Sequence, residues 1–327
     1  MDALAVPRKP RNSRWSRDPV LDAGLPVVAR ITDRDIEIFT LLTRYRYLPS
    51  DYIHAFIGGS LNALTRRLNL LARKPNLYLA RPQQQRLNAD ANHRRLVYEL
   101  SERGSRILQE RGLSFLPKSY HRNFQHELMA AQITASLELG TREQTHVALI
   151  TWPQILRSPS TPLETRNSNT PASIPVVFDL RGERVSIHVT ADAQPFGLQR
   201  TIGTQSSYVF FPGIEADCGT EPVETSDIDR SSIYKKFGAY RAIAEQGLYR
   251  SHFGFPNFFV PIITTTAARM QSMIRLLEKV TDGCGSKMFL FKTFPMLTSW
   301  EKPPKPSGHM LTEPWHRAGF PPFHLDR

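Results

Sequence analysis

The stretch from Tyr208 to Tyr240, YVFFPGIEADCGTEPVETSDIDRSSIYKKFGAY, constrains the fold of this chain more than any other. An apolar run, Val209 to Ile214, reads as a buried strand. It ends in Glu215, Ala216 and Asp217, and after a short loop a helix over Ser232 to Gln246 carries Lys235, Lys236 and Tyr240. Carboxylates at a strand tip are partly desolvated, and a second acid beside the first raises the cost of ionising both unless a cation or metal compensates. Two arrangements meet that demand: a metal site, or a loop that caps the following helix.

The rest of the chain supplies what surrounds this stretch. With 327 residues, 40% of them hydrophobic, it can bury a real core, and the length suits two modest domains. A net charge of +12 predicts a polyanionic partner, double-stranded DNA, because a Lys/Arg surplus gains counterion-release free energy on a phosphate backbone. A membrane is the weaker expectation, since no apolar stretch reaches about 18 residues. The N-terminus has no apolar signal core, so a cytoplasmic protein is expected. Cys218 and Cys284 are the only cysteines, which excludes a Cys-rich zinc framework, so zinc is not expected.

Residues 1–30 carry Arg8, Lys9, Arg11, Arg14 and Arg17 between prolines and read as a disordered basic arm. Residues 31–116 read as a winged helix-turn-helix DNA-binding domain. Thr32 caps a helix ending near Tyr45, Ser50 caps a short one closed by Gly58-Gly59, and Ser60 caps a third, SLNALTRRLNLLARK. In the third helix Leu61, Leu64, Leu68 and Leu71 mark the buried face, leaving Asn62, Thr65, Arg66, Asn69 and Arg73 on or near the other. Strands at Leu77–Ala80 and Leu96–Leu100 flank a basic wing, and Ser101 caps a closing helix. In that architecture the third helix enters the major groove and the wing straddles the backbone. Arg66 and Asn69 suit base edges or phosphates; Arg81, Arg86, Arg94 and Arg95 suit phosphates.

After a linker over Leu113 to Arg122, residues 123–296 read as an α/β domain with a mixed sheet flanked by helices. The expected elements are a helix His126–Gly140 capped by Gly140, a strand Val147–Trp152, and a long loop from Pro153 to Pro175. A hairpin Val176–Leu180 and Val185–Thr190 ends at Asp192, and the central strand follows. Beyond the Lys236 helix come a strand Phe258–Thr264, a helix Ala267–Thr281 and a strand Met288–Phe294. Residues 297–327 read as an irregular tail that docks on the surface.

Asp192 and the pair Glu215 and Asp217 fall at adjacent strand ends, about 4.8 Å apart if the strands are neighbours, so the three carboxylates could share one magnesium or manganese ion. Such an ion polarises a phosphoryl oxygen and acidifies a bound water. Lys236, or Lys235 beside it, suits the steadying of developing charge, and Glu127 is a possible further acid. Each residue has a plainer reading: Asp192 as a turn residue, Asp217 bonding its own turn, Glu127 as a first-turn helix acid, and the lysines as exposed helix charges.

ITDRDIEIFTLLTRYRYLPSDYI, LTRRLNLLARK and YELSERGSRIL resemble the winged-helix part of the replication-relaxation family of plasmid and integrative-element proteins. IEADCGTEPV with KKFGAY, and ADAQPFGL before them, are similar to that family's acidic strand, Lys/Tyr helix and Pro-Asp strand, so the resemblance spans most of Ile31 to Thr281. It implies a second domain similar to PD-(D/E)xK nucleases and a role in plasmid replication, DNA relaxation or mobilisation, with a homodimer possible. Two positions depart from the nuclease pattern. Ala191 stands for the proline before Asp192, and Asp217 stands for the lysine, which puts Lys236 or Lys235 in the lysine's role.

Overall fold

The structure is a computed structural model that describes residues 27–86, 95–113, 123–227, 229–294 and 304–327. The chain divides into two compact units, Met1–Pro117 and Lys118–Arg327. Most of the expected basic arm, the tip of the expected wing including Arg94, and most of the expected linker lie outside the described residues.

The first unit is built from α1 (Asp33–Tyr45), β1 (Leu48–Pro49), α2 (Ser50–Ile57), α3 (Leu61–Leu71), β2 (Leu79–Ala80), a 3-10 turn (Gln83–Arg86), β3 (Val97–Leu100) and α4 (Glu102–Glu110). The strands form a three-stranded antiparallel sheet in the order β1-β3-β2. β1 is only two residues long and leaves no periodicity in the sequence, so its pairing with β3 alone defines it. Thr32 caps α1 through a capping box with Asp35, and Ser60 and Ser101 cap α3 and α4. Pro49, and not Ser50, is the N-cap of α2, and Gly58 closes that helix at φ +72°. The leucine stripe of α3 packs inward at Leu64, Leu68 and Leu71, each worth about 1.5–3 kcal/mol of burial, while Leu61 is half-buried.

Asp35 does more than complete the cap. Its side chain is 1% exposed, and it accepts from the Thr32 backbone N at 2.8 Å, from Arg67 Nε at 2.9 Å and from Arg67 Nη2 at 2.5 Å. Burial alone would raise its pKa, but the Arg67 and Thr32 bonds outweigh it and hold the carboxyl below the usual value. A carboxylate whose folded-state pKa is depressed contributes stability that is present above the unfolded value and lost as pH falls through the folded one. Urea unfolding of the chain should therefore show the first unit weakening with acid below about pH 4, and Asp35→Asn should flatten that slope. An unchanged slope in the variant would remove Asp35 as its source.

The second unit opens with α5 (Phe124–Glu143) and β4 (Val147–Ile150). Gly140 does not cap α5; it lies inside the helix, where an added Cβ would sit 2.6 Å from Leu311 Cβ and 2.9 Å from the Gly308 carbonyl oxygen. The segment expected as a loop instead forms α6 (Trp152–Arg157) and α7 (Leu163–Asn167), and Trp152 starts a helix rather than ending a strand. The chain continues through β5 (Ile174–Leu180), β6 (Glu183–Val189), β7 (Phe196–Ile202), β8 (Gln205–Phe211), β9 (Glu215–Asp217), α8 (Ile233–Glu245) and α9 (Leu248–Phe253). It ends in β10 (Val260–Thr264), α10 (Ala267–Val280), β11 (Phe289–Thr293), α11 (His309–Thr312), β12 (Trp315–Arg317) and β13 (Phe320–Phe323).

These strands make a five-stranded sheet, β13-β12-β11-β10-β9, a three-stranded sheet, β4-β7-β8, and the hairpin β5-β6. The five-stranded sheet is mixed: β9, β10 and β11 run parallel and β12 antiparallel. Alternation along β10 and β11 sends Val260, Ile262, Phe289 and Phe291 into one core with α8 and α10, and Ile263 and Leu290 into another with α5 and α11. Residues 304–327 are not a docked tail, for Met310, Leu311 and Trp315 are fully buried and β12 extends the sheet. The molecule is thus a mixed α+β protein of helices and several small sheets.

The expected central strand is two strands. β8 pairs with β7, which the sequence had not revealed, and β9 pairs with β10. Pro212-Gly213 separates them, and Gly213 has φ +134° with the Ala193 carbonyl oxygen only 2.2 Å from where a Cβ would stand. That close approach brings the bend at residues 191–193 against the start of β9.

Candidate active site and nucleic-acid interface

The bend after β6 delivers Asp192 to β9, although β6 pairs only with β5 and the two acids are not on neighbouring strands. The Asp192 backbone N donates to the Ile214 carbonyl at 2.8 Å, and the Ala216 backbone N donates to Asp192 Oδ2 at 2.8 Å. The same oxygen lies 3.0 Å from His126 Nε2, at the first turn of α5. Glu215 points to the α8 side, where Tyr240 Oη donates to its Oε1 and Lys236 Nζ lies 3.0 Å from its Oε2. Lys236 also lies 3.0 Å from Glu221 Oε2.

Glu215, Lys236, Glu221 and Tyr240 therefore form one linked group, and Asp192, held by the Ala216 N–H and His126, lies within electrostatic reach of Glu215 and Lys236. Burial pushes the Glu215 carboxyl up, and the Asp192 charge adds to the rise while Lys236 opposes it. Burial alone would lower the Lys236 pKa, but Glu215, Asp192 and Glu221 outweigh it and hold the ammonium well above its ordinary value. Lys236 is consequently a fixed positive charge among three acids. Lys235, next to it, is half-buried and has its backbone N capped by Ser232.

Asp217 belongs to a separate arrangement. Arg269 grips it from α10 through Nε to Oδ2 and through Nη2 to Oδ1 at 2.7 Å, while Thr264 Oγ1 donates to Oδ2 at 2.6 Å. The Gly219 backbone N adds a bond to Oδ1 at 3.2 Å, and Arg269 also donates to the Glu221 carbonyl, tying the loop after β9 to α10. Both oxygens of Asp217 are thus occupied by the protein's own donors. Among the described residues no three His, Cys, Asp or Glu side chains gather as a metal-holding group. Glu215 likewise has Tyr240 on one oxygen and Lys236 on the other, so an ion held by Asp192 and Glu215 would have to compete with Lys236; magnesium, which keeps several waters, accepts as few as two protein carboxylates. Cys218 is out of play as a nucleophile: burial, with Asp217 and Asp192 adding to it, pushes its thiol up to about 11, and its Sγ rests 3.8 Å from Met129 Sδ. Glu127 is half-buried on α5, one position beyond His126.

In the first unit, Asn62 and Arg66 are exposed on α3, and Thr65, Asn69 and Arg73 are half-buried. Arg67, the neighbour of Arg66, is spent on Asp35. Asn69 Oδ1 accepts from Arg81 Nη2 at 2.5 Å and from Tyr98 Oη at 3.1 Å, and the Arg81 guanidinium lies 5.6 Å from the Tyr98 ring centre. An arginine only donates, which fixes the amide orientation, so Asn69 cannot offer the acceptor that bidentate adenine reading requires. Its place is to hold Arg81 between α3 and the strands. Gln85 bonds both backbone groups of Val97 at 2.9 Å and so closes the base of the expected wing. Arg86 ends the 3-10 turn, Arg95 is exposed, and Arg94 lies outside the described residues.

Sequence reasoning missed His126, Tyr98 and Arg269. Each acts on a partner far along the chain, so no local spacing could have announced it. Among the described residues no helix is long and apolar enough to cross a membrane. A family model described as replication-relaxation matches residues 39–257, well over half of the chain, including α3, Asp192, Glu215 and Lys236. Neither the curated proteins nor the solved structures hold a match to the chain.

Proposed function

This chain belongs to the replication-relaxation family, and we propose that it is a DNA-binding protein of plasmid or mobile-element replication whose second unit nicks or cleaves DNA with a divalent ion. In this reading the first unit is a winged helix-turn-helix that selects the site, and the second is a PD-(D/E)xK nuclease-like domain. The observation that carries the reading is that Asp192, bonded to the Ala216 N–H, lies within electrostatic reach of the Glu215–Lys236 pair, the three coming from a bend, a strand and a helix with no sequence proximity. Two carboxylates with a lysine beside them suit phosphodiester hydrolysis. Lys236 on α8 takes the role that Asp217, held by Arg269, leaves open.

The donor set fits magnesium or manganese by type, since both acids offer hard oxygens. Asp192 and Glu215 would hold the ion, which when bound supplies polarisation of a phosphoryl oxygen and acidification of a water. Lys236, kept protonated by its acids, would stabilise charge that develops on the phosphate. Tyr240 orients Glu215, and His126 with the Ala216 N–H orients Asp192.

A second reading, a regulator that binds DNA without cutting it, draws support from the pairing of each acid with a protein side chain: Asp192 with the His126 imidazole, Glu215 with Lys236, Asp217 with Arg269. A nicking assay on supercoiled plasmid with magnesium or manganese separates the two. For the first unit, Arg66→Ala is expected to cost about 1–3 kcal/mol of affinity on a duplex selected from a randomised pool. Unchanged affinity and salt slope would take α3 out of the interface.

A further inference from the structure

The hairpin of β12 and β13 carries a row in which cations and rings alternate. Arg200 lies over Phe323 at 6.0 Å from the ring centre, Arg317 over Phe323 at 5.3 Å and over Phe320 at 5.8 Å, and Lys287 over Phe320 at 5.3 Å. The order in space is Arg200, Phe323, Arg317, Phe320, Lys287. A lone arginine over a ring is ordinary surface packing, but here two rings position three cations side by side. The platform is firm. Phe323 stacks on Phe259 at 5.1 Å, Trp315 and Leu325 are fully buried, and Arg317 Nε donates to the Pro321 carbonyl at 2.8 Å.

The outer side of the row is open and basic. Lys287, Pro321 and Pro322 are exposed, Phe320 and Arg317 partly so, and Arg327 is exposed beside His324. Arg200 reaches the Arg327 carbonyl at 2.5 Å, and Asp326 is the acid that faces it. Lys287, Arg317, Phe320 and Phe323 lie beyond the segment that the family model matches, and Arg200 lies inside it.

We infer that this hairpin is a binding surface for a single nucleic-acid strand, with Arg200, Lys287 and Arg317 contacting its phosphates. Cations already held against rings surrender less side-chain freedom on binding, so more of each phosphate contact is realised as affinity. Phe320 lies between Lys287 and Arg317 and is partly exposed, and Pro321 and Pro322 beside it in the chain are exposed, apolar surface on which an unpaired strand can lay base faces; a duplex keeps those faces in its own stack.

The test uses the full chain and fluorescence anisotropy on a labelled oligothymidylate and on a duplex of mixed sequence. The double variant Lys287→Ala, Arg317→Ala should bind the single strand about 10-fold more weakly, with a salt slope shallower by about 0.7 for each phosphate no longer neutralised. Arg275→Ala, at an exposed arginine of α10 outside this row, should leave single-strand binding unchanged, and because the single strand and the duplex are measured separately, failure of α3 as a duplex reader would not disturb this result. Should the double variant melt early, Lys287→Ala alone, at an exposed position, carries the test. Single-strand affinity and slope equal to the parent's, or a loss confined to the duplex, would overturn the inference.

Discussion

Arg269→Ala is expected to lower the stability of the second unit by about 3–5 kcal/mol, because it strands a buried carboxylate. Asp217 has a side chain 2% exposed, and Arg269 is the cation that meets both of its oxygens. Thr264 and the Gly219 N–H remain as neutral donors and cannot balance a full charge. The measurement is urea unfolding followed by near-ultraviolet circular dichroism, comparing Arg269→Ala with the double variant Asp217→Leu, Arg269→Met. Replacing both partners by apolar groups of similar size removes the charge together with its counterion, so the double variant should recover most of the loss. Equal stability of Arg269→Ala and the parent would mean that Asp217 is not held in this way and remains available to a metal.

Lys236→Met is expected to reduce divalent-dependent cleavage by about 10²–10³-fold, the usual cost of removing one group aimed at developing charge. The same variant leaves Glu215 and Glu221 without their shared cation. Burial already pushes the Glu215 carboxyl up. Without Lys236 the rise is larger, so in the variant Glu215 is protonated in the fold at pH values where it is ionised in the unfolded chain. A raised folded-state pKa favours the fold at low pH, and stability is then lost as pH rises from about 4.3 through the folded value. The variant should accordingly lose stability relative to the parent between weakly acidic and neutral pH. A cleavage rate equal to the parent's, with no such pH dependence, would take Lys236 out of the site.

Elements with a strong internal signal were legible from the sequence. The leucine stripe of α3, the caps at Thr32, Ser60 and Ser101, and the Arg181-Gly182 turn of the β5-β6 hairpin all announce themselves within a few residues. What escaped depended on contacts made far along the chain. β1 is two residues long and exists because β3 pairs with it. β7 mixes Gly197, Gln199 and Arg200 among its apolar residues, so neither alternation nor a continuous run marks it. The run from Val209 to Ile214 looked like one strand, and only the crowding of Gly213 by Ala193 explains why the chain breaks there and changes sheets. Gly140 read as a helix stop, whereas its missing side chain admits Gly308 and Leu311.

The candidate site divides along the same line. Residue types and order put Asp192, Glu215, Asp217 and Lys236 together as one candidate group. The split between Glu215 and Asp217 was not readable, because both lie on one face of β9 and only their partners on α8 and α10 distinguish them. Asn69 is a similar case, a residue of the right type for base reading whose acceptor is taken by Arg81 and Tyr98.

Incubation of supercoiled plasmid with the purified full chain and magnesium or manganese tests the central claim most directly, beside the double variant Asp192→Ala, Glu215→Ala. Nicked or linear plasmid should form with the parent chain only when the ion is present, and should be absent with the double variant even though the variant still binds DNA. Intact plasmid with the parent chain under conditions where it binds DNA, or cleavage that survives in the double variant, would contradict it.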